Sequence, residues 1–154
     1  MSRKEQVLLA VKEYVAAHYE APTALHEPRA PYAVFPALRE LDAGFSETVS
    51  LLVEEKYPKK ADFLTKANLT KQLYHFMMQD PAYRPSRVTA FSCVIGLELP
   101  LEEAKDLLLR AGIAISHSSL FDVILEYFIA NENYDIDLIN QVLFEYDQPL
   151  LGSR

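Results

Sequence analysis

Along most of this chain, apolar side chains recur every three or four residues, which is the spacing of amphipathic helices. Proline, glycine and asparagine interrupt that spacing at short intervals, so short helices with short connections are expected. No segment shows the apolar–polar alternation of a strand. The predicted fold class is therefore all-α, a compact multi-helix bundle. About eight helices are expected, near residues 3–19, 46–57, 60–67, 69–79, 86–98, 101–110 and 120–130, with the last between Asp135 and Pro149.

Proline placement suggests how the chain is divided. Four prolines lie between residues 21 and 37 and exclude a regular helix there, because proline breaks helix interiors. The helical spacing resumes after this stretch and continues almost to the end of the chain. We therefore predict three regions: an N-terminal helix plus a Pro-rich arm (1–40), a five-helix core (41–115) and a C-terminal helical hairpin packed on that core (116–154).

Residue types that support catalysis or cofactor binding are scarce or scattered. The chain has four glycines, too few for a Gly-rich phosphate loop, and Cys93 is its single cysteine, which excludes an internal disulfide and a cysteine zinc cluster. The histidines lie far apart in sequence, at none of the spacings of a helical metal site: His18, His26, His75 and His117. We therefore expect a non-enzymatic protein with no catalytic residues, no cofactor and no metal.

Targeting signals are also lacking. No segment approaches the roughly 20 apolar residues of a membrane span. The basic N-terminus is not followed by the apolar run of a signal peptide. These observations predict a cytoplasmic protein that does not bind membranes.

The distribution of charge changes the expectation about partners. The net charge of −7 argues at first against a nucleic-acid partner, because DNA is a polyanion. Residues 1–90 nevertheless sum to +1, while residues 91–154 sum to −8. Residues 56–87, the basic window, hold seven lysines and arginines against two aspartates, a local charge of +5. Any DNA contact is expected in this window, with the acidic C-terminal helices pointing away.

Two short predicted helices meet at Asn68 inside the basic window. Asparagine adopts the left-handed backbone conformation more readily than most residues, so a tight turn there can set the helices at a steep angle. The inward contacts are expected from Leu64, Leu69, Leu73 and Met77. The second helix would then expose side chains suited to base edges and phosphates: Lys71, Gln72, His75 and Gln79.

From about residue 45 to residue 112, the chain resembles the five-helix domain of phage-repressor-type (Xre-like) regulators. Residues 64–71 (LTKANLTK) lie where that family has its first motif helix, its turn and the start of its recognition helix. The chain differs from the family at Asn68, where glycine is usual, and at Leu64, where alanine is usual. Four later segments resemble the family's fourth and fifth helices and their connection: 85–87 (PSR), 96–99 (GLEL), 101–104 (LEEA) and 110–112 (RAG).

This resemblance implies a helix-turn-helix-like regulatory protein of a bacterium or phage, acting in transcription regulation. It would bind DNA through the 69–79 helix placed in the major groove. A homodimer is expected, because one copy contacts only a short half-site. The expected DNA-contacting residues are Lys66, Thr70, Lys71, Gln72, His75, Arg84 and Arg87.

An alternative hypothesis keeps the fold and gives up the DNA contact. The acidic total, the departures at Leu64 and Asn68 and the apolar 69–79 helix also suit a protein–protein interaction module. Such a module could be a toxin-neutralising, phage-encoded or signalling accessory protein. Tyr74 and Met78 would then contact the partner, provided that their side chains are exposed.

Overall fold

The computed structural model describes residues 2–21 and 44–152, and within these ranges the chain forms eight α-helices and no strand. The all-α prediction is confirmed. Most of the predicted Pro-rich arm lies outside the described residues. The helices, in chain order, are α1 (Arg3–His18), α2 (Phe45–Lys56), α3 (Lys60–Ala67), α4 (Lys71–Gln79), α5 (Arg87–Leu97), α6 (Leu101–Arg110), α7 (Leu120–Ala130) and α8 (Ile136–Glu145).

Local side-chain chemistry sets most helix ends. The hydroxyls of Ser2, Ser86 and Ser119 each accept a hydrogen bond from a backbone N–H in the first turn of α1, α5 and α7. Helix α2 differs from the prediction, because Gly44 is its N-cap and Ser46 is buried in its first turn. Gly112 has a φ of 76° after α6, the left-handed conformation that its position predicted.

Helix α5 lies at the centre of the described structure. Every residue from Thr89 to Leu97 is buried, and α5 packs against α2, α3 and α6. Its closest approach is to α3, where Gly96 faces Ala67 and Phe63. Cys93 is fully buried on this helix, and burial raises the pKa of its thiol to about 12. The thiol is therefore protonated at neutral pH and acts as a core side chain.

The N-terminal helix belongs with the C-terminal helices. Helix α1 packs on α7 and carries one fully buried side chain, Val11. Two exposed ion pairs join its first turn to the α8 region, Arg3 with Asp135 and Lys4 with Glu145. The first and third predicted regions are thus brought together, through contacts between residues more than 130 positions apart.

The C-terminal tail returns to the connection between α3 and α4. The carbonyl of Leu151 accepts hydrogen bonds from the amide groups of Asn68 and Asn140, at 3.2 and 3.1 Å. The backbone N–H of Leu151 donates to Asn140 Oδ1, and that of Gly152 donates to Ser92 Oγ. Because the Leu151 side chain is also buried, the tail is an integral part of the core.

Gly96→Ala is predicted to destabilise the protein. A Cβ at this position would lie 2.5 Å from Ala67 Cβ and 3.0 Å from Ala67 Cα, and a short side chain on a helix backbone cannot move away. Overpacking of this kind costs about 1–3 kcal/mol or more, which exceeds the roughly 1 kcal/mol that alanine gains over glycine in a helix. Urea unfolding of the variant measures the difference.

Gly44→Ala is the matched control for this substitution. Among the described residues, its new Cβ would meet only Pro81 O at 3.4 Å, an ordinary contact, and φ of −80° is allowed for alanine. We expect the free energy of unfolding to fall less for Gly44→Ala than for Gly96→Ala. Equal losses would show that the α3–α5 approach is not a tight constraint.

Candidate functional site

Helices α3 and α4 are joined by a three-residue turn at residues 68–70. Asn68 adopts the left-handed conformation, with φ of 56° and ψ of 40°, as the sequence predicts. Leu69 is buried, and its N–H donates to the carbonyl of Leu64. The hydroxyl of Thr70 then accepts from Leu73 N and caps α4. The local geometry is that of two short helices joined by a tight turn.

The inward face of α4 differs from the prediction at one helical position. Tyr74 is buried, with 6% of its surface exposed, which the sequence did not predict, while Leu73 is half-buried against the core as predicted. Its ring packs edge-to-face on Phe63 at 5.8 Å, and the Lys60 ammonium lies 5.5 Å from its ring centre. Tyr74 and Met77 are three residues apart and share one face, whereas Leu73 lies at its edge. The expectation that Tyr74 contacts a partner is therefore wrong, because its ring belongs to the core.

The outward face of α4 carries the polar side chains that the sequence predicts. Lys71, Gln72 and His75 are all exposed. The Nε2 of His75 is 3.1 Å from the side-chain amide of Gln79, one turn further along. Phe76 is 60% exposed on the same helix and packs edge-to-face against Tyr83. Helix α4 thus presents a cation, amides and an imidazole to the outside, with one aromatic ring among them.

The other predicted DNA-contacting residues have different surroundings. Lys66 lies 3.4 Å from Glu98 Oε2 and 5.8 Å from the centre of the Tyr57 ring, so its charge is partly compensated within the protein. Thr70 is the N-cap of α4, as described above. Arg84 is exposed, on the loop between α4 and α5. The structure therefore brings together Lys71, Gln72 and His75, while Lys66 and Arg87 make contacts with other parts of the chain.

Arg87 forms an ion pair with a fully buried carboxylate. Its guanidinium lies 2.7 Å from Asp122 Oδ2, and it also donates to the carbonyl of Ala114. Asp122 Oδ2 accepts a further bond from Ser116 N. Burial raises the pKa of Asp122, while the Ser116 N–H and Arg87 oppose that rise. Arg87 therefore joins the start of α5 to the loop before α7 and to α7 itself.

A second cluster of polar side chains joins α1 to α7. The hydroxyl of Tyr14 donates to Glu126 Oε1 at 2.5 Å, and His117 Nε2 donates to the same oxygen at 2.9 Å. The ring of His18 stacks on Tyr14 and lies 5.7 Å from the ring of His117. Burial and the hydrogen bond to Glu126 both raise the pKa of Tyr14, so its hydroxyl stays protonated.

This second cluster brings together two histidines that lie far apart in sequence. His18 and His117 are 99 positions apart and nevertheless meet, because α1 packs on α7. No group of three or more metal-ligating side chains with suitable geometry occurs within residues 2–21 and 44–152.

No helix in the same ranges is long and apolar enough to cross a membrane.

Comparison of the chain with protein-family models, curated proteins and solved structures found no match. The likeness to Xre-like regulators therefore depends on the order and spacing of the residues quoted above.

Arg87→Met is predicted to lower stability in a pH-dependent way. At neutral pH the variant leaves the ionised Asp122 buried without its cation, which costs about 1–3 kcal/mol. Loss of Arg87 raises the pKa of Asp122 further, so the folded state gains a proton more readily than the unfolded state. Stability is then lost as pH rises through this raised pKa, and the deficit is larger at pH 7 than near pH 4. Urea unfolding at both pH values measures it.

Two further variants serve as controls for this measurement. Arg84→Met removes an exposed arginine of the basic window and is expected to change stability little. Asp122→Asn, combined with Arg87→Met, removes the titrating group and should abolish the pH-dependent part of the deficit. A deficit that is the same at both pH values would contradict the assignment of Arg87 to Asp122.

Proposed function

We propose that this protein is a non-enzymatic, helix-turn-helix-like regulator that binds DNA through α4. One observation carries the proposal: a capped α4 follows a left-handed turn at Asn68 and exposes Lys71, Gln72 and His75 together. A recognition helix needs an outward face of this kind, attached rigidly to a partner helix behind it. Here the buried Tyr74 and Met77 provide that attachment.

The first turn of α4 is the part best suited to base edges. Gln72 can bond adenine through its amide, and Lys71 can donate to guanine or to a phosphate. His75 lies one turn further and would contact the adjacent base pair or sugar. Lys59 and Lys60, both exposed at the start of α3, would contact the phosphate backbone.

The electrostatics favour a short-range and oriented contact. The whole chain carries −7, so long-range attraction to DNA is weak. The pair Arg87–Asp122 removes one cation from the predicted set of phosphate contacts, and Glu98 partly compensates the charge of Lys66. With fewer free cations, the logarithm of the DNA affinity should fall only slowly with the logarithm of the salt concentration, a shallow salt slope. A homodimer would be needed for useful affinity.

Lys71→Ala is predicted to weaken DNA binding by about 1–3 kcal/mol and to reduce the salt slope by about one. Fluorescence anisotropy with duplexes enriched from pooled genomic fragments, at low and moderate salt, measures both quantities. Lys12→Ala removes an exposed lysine from α1 and is the matched control, with unchanged binding expected. Absence of any anisotropy change for the unaltered protein at low salt would refute the proposal.

A second candidate function is favoured by a groove between α2 and the end of α4. Its volume is about 350 Å³, and Leu51 and Met78 supply its apolar wall. Leu51 is 56% exposed, and Glu47 and Glu54 line the same groove. This chemistry suits a partner protein that inserts an apolar side chain flanked by lysine or arginine. Met78 lines this groove and would contact the partner, whereas Tyr74 is buried.

Leu51→Ser is predicted to abolish capture of such a partner by the immobilised protein. Leu9→Ser is the matched control, because Leu9 is exposed to a similar extent on α1, away from the groove. Quantitative mass spectrometry of the two pull-downs compares recovery of a stoichiometric partner that carries a basic, apolar segment. Equal recovery with both variants, or no stoichiometric partner at all, would exclude the groove as a docking site.

A further inference from the structure

A cavity of about 330 Å³ lies between α6, the loop that follows it and α7. This volume is within the range of small-molecule sites. Two charged side chains and an imidazole share its wall with aliphatic groups. The residues that matter are Lys105, Leu109, Ile113, Ile115, His117 and Glu126.

Within the described part of the chain, the cation in this wall has only a weak partner. Lys105 Nζ lies 3.8 Å from Glu102 Oε1, and the Glu102 side chain is 87% exposed. Ion pairs of this exposed kind contribute little, because water competes for both charges. Lys105 can therefore pair with an anionic group placed in the cavity at small cost.

The opposite charge in the wall is the carboxylate of Glu126, whose side chain is 10% exposed. His117 Nε2 donates a hydrogen bond to this carboxylate and holds it in place. A donor with positive charge complements the carboxylate.

We propose that this cavity binds a free amino acid with an aliphatic side chain, such as leucine. Its carboxylate pairs with Lys105, and its ammonium group binds the Glu126 carboxylate. The side chain packs on Leu109 and Ile113. A ligand with only a carboxylate would leave Glu126 without a cation to bind. A ligand with only an amine would leave Lys105 without an anion. A zwitterion provides both charges. The inference does not depend on DNA binding by α4.

Three probes of the same carbon skeleton test the proposal on the full chain. They are L-leucine, 4-methylpentanoate, which lacks the ammonium, and 3-methylbutylamine, which lacks the carboxylate. Each is titrated to about 10 mM while the amide resonances of Ile113 and Ile115 are followed by NMR. Leucine is expected to bind, and each probe with a single charge at least about tenfold more weakly. No leucine-dependent shift at these amides, or equal affinity for all three probes, overturns the proposal.

Lys105→Met supplies the second arm of the test. It should weaken leucine binding about tenfold and leave the affinity for 3-methylbutylamine unchanged or higher. Lys12→Met, on the exposed face of α1, is the control and should bind leucine as the unaltered protein does. Unchanged leucine affinity in Lys105→Met overturns the proposal. The comparison of probes on the unaltered protein decides the question even if the variant folds poorly.

Discussion

The close approach of α3 to α5 is the constraint on which the rest of this structure depends. Gly96 has no side chain, and Ala67 opposite has only a methyl group, so the two backbones can meet at short range. This contact holds the first helix of the turn motif against the most buried helix of the bundle. The orientation of α4 follows from it, because the three-residue turn leaves little freedom between α3 and α4.

A second level of organisation joins the two ends of the chain. Glu126 accepts hydrogen bonds from α1 and from the loop before α7, through Tyr14 and His117. Two charged side chains are thus buried on α7, Asp122 and Glu126, and each is bonded to a residue distant in sequence, although Asp122 Oδ1 has no hydrogen-bond partner among the described residues. Loss of the bonds to Glu126, or of the ion pair between Arg87 and Asp122, would leave a carboxylate with fewer partners in a poorly hydrated region, which is costly. These pairs therefore fix α7 in one position relative to α1 and α5.

Most of the local structure could be predicted from the sequence, since it depends on neighbours within one turn. The start of α5 after Ser86 and the left-handed turn at Asn68 are examples, because capping and turn preferences are local. Exposure of Lys71, Gln72 and His75 also followed from the helical period. The burial of Tyr74 could not be predicted in this way. Tyr74 and Leu73 are adjacent in sequence, and which of them is more buried depends on the shape of the core.

The pairings between residues distant in sequence could not be predicted from the sequence pattern. Arg87 and Asp122 are 35 positions apart, and an exposed cation in a basic segment has no local sign that it pairs with a buried acid. His18 and His117 meet only because α1 packs on α7. A carboxylate inside a strongly apolar helix is the one available signal. Asp122 and Glu126 both stand in such a helix, four residues apart on one face, where a partner is required.

The hydrogen bond from Asn68 to the Leu151 carbonyl has a consequence for the order of folding. It closes a loop of 83 residues, and contacts of such separation form late because loop closure costs entropy. During synthesis, α3 and α4 leave the ribosome well before Leu151 does. The local bonds of the turn can form before the tail arrives, whereas the bond from Asn68 to Leu151 can form only afterwards.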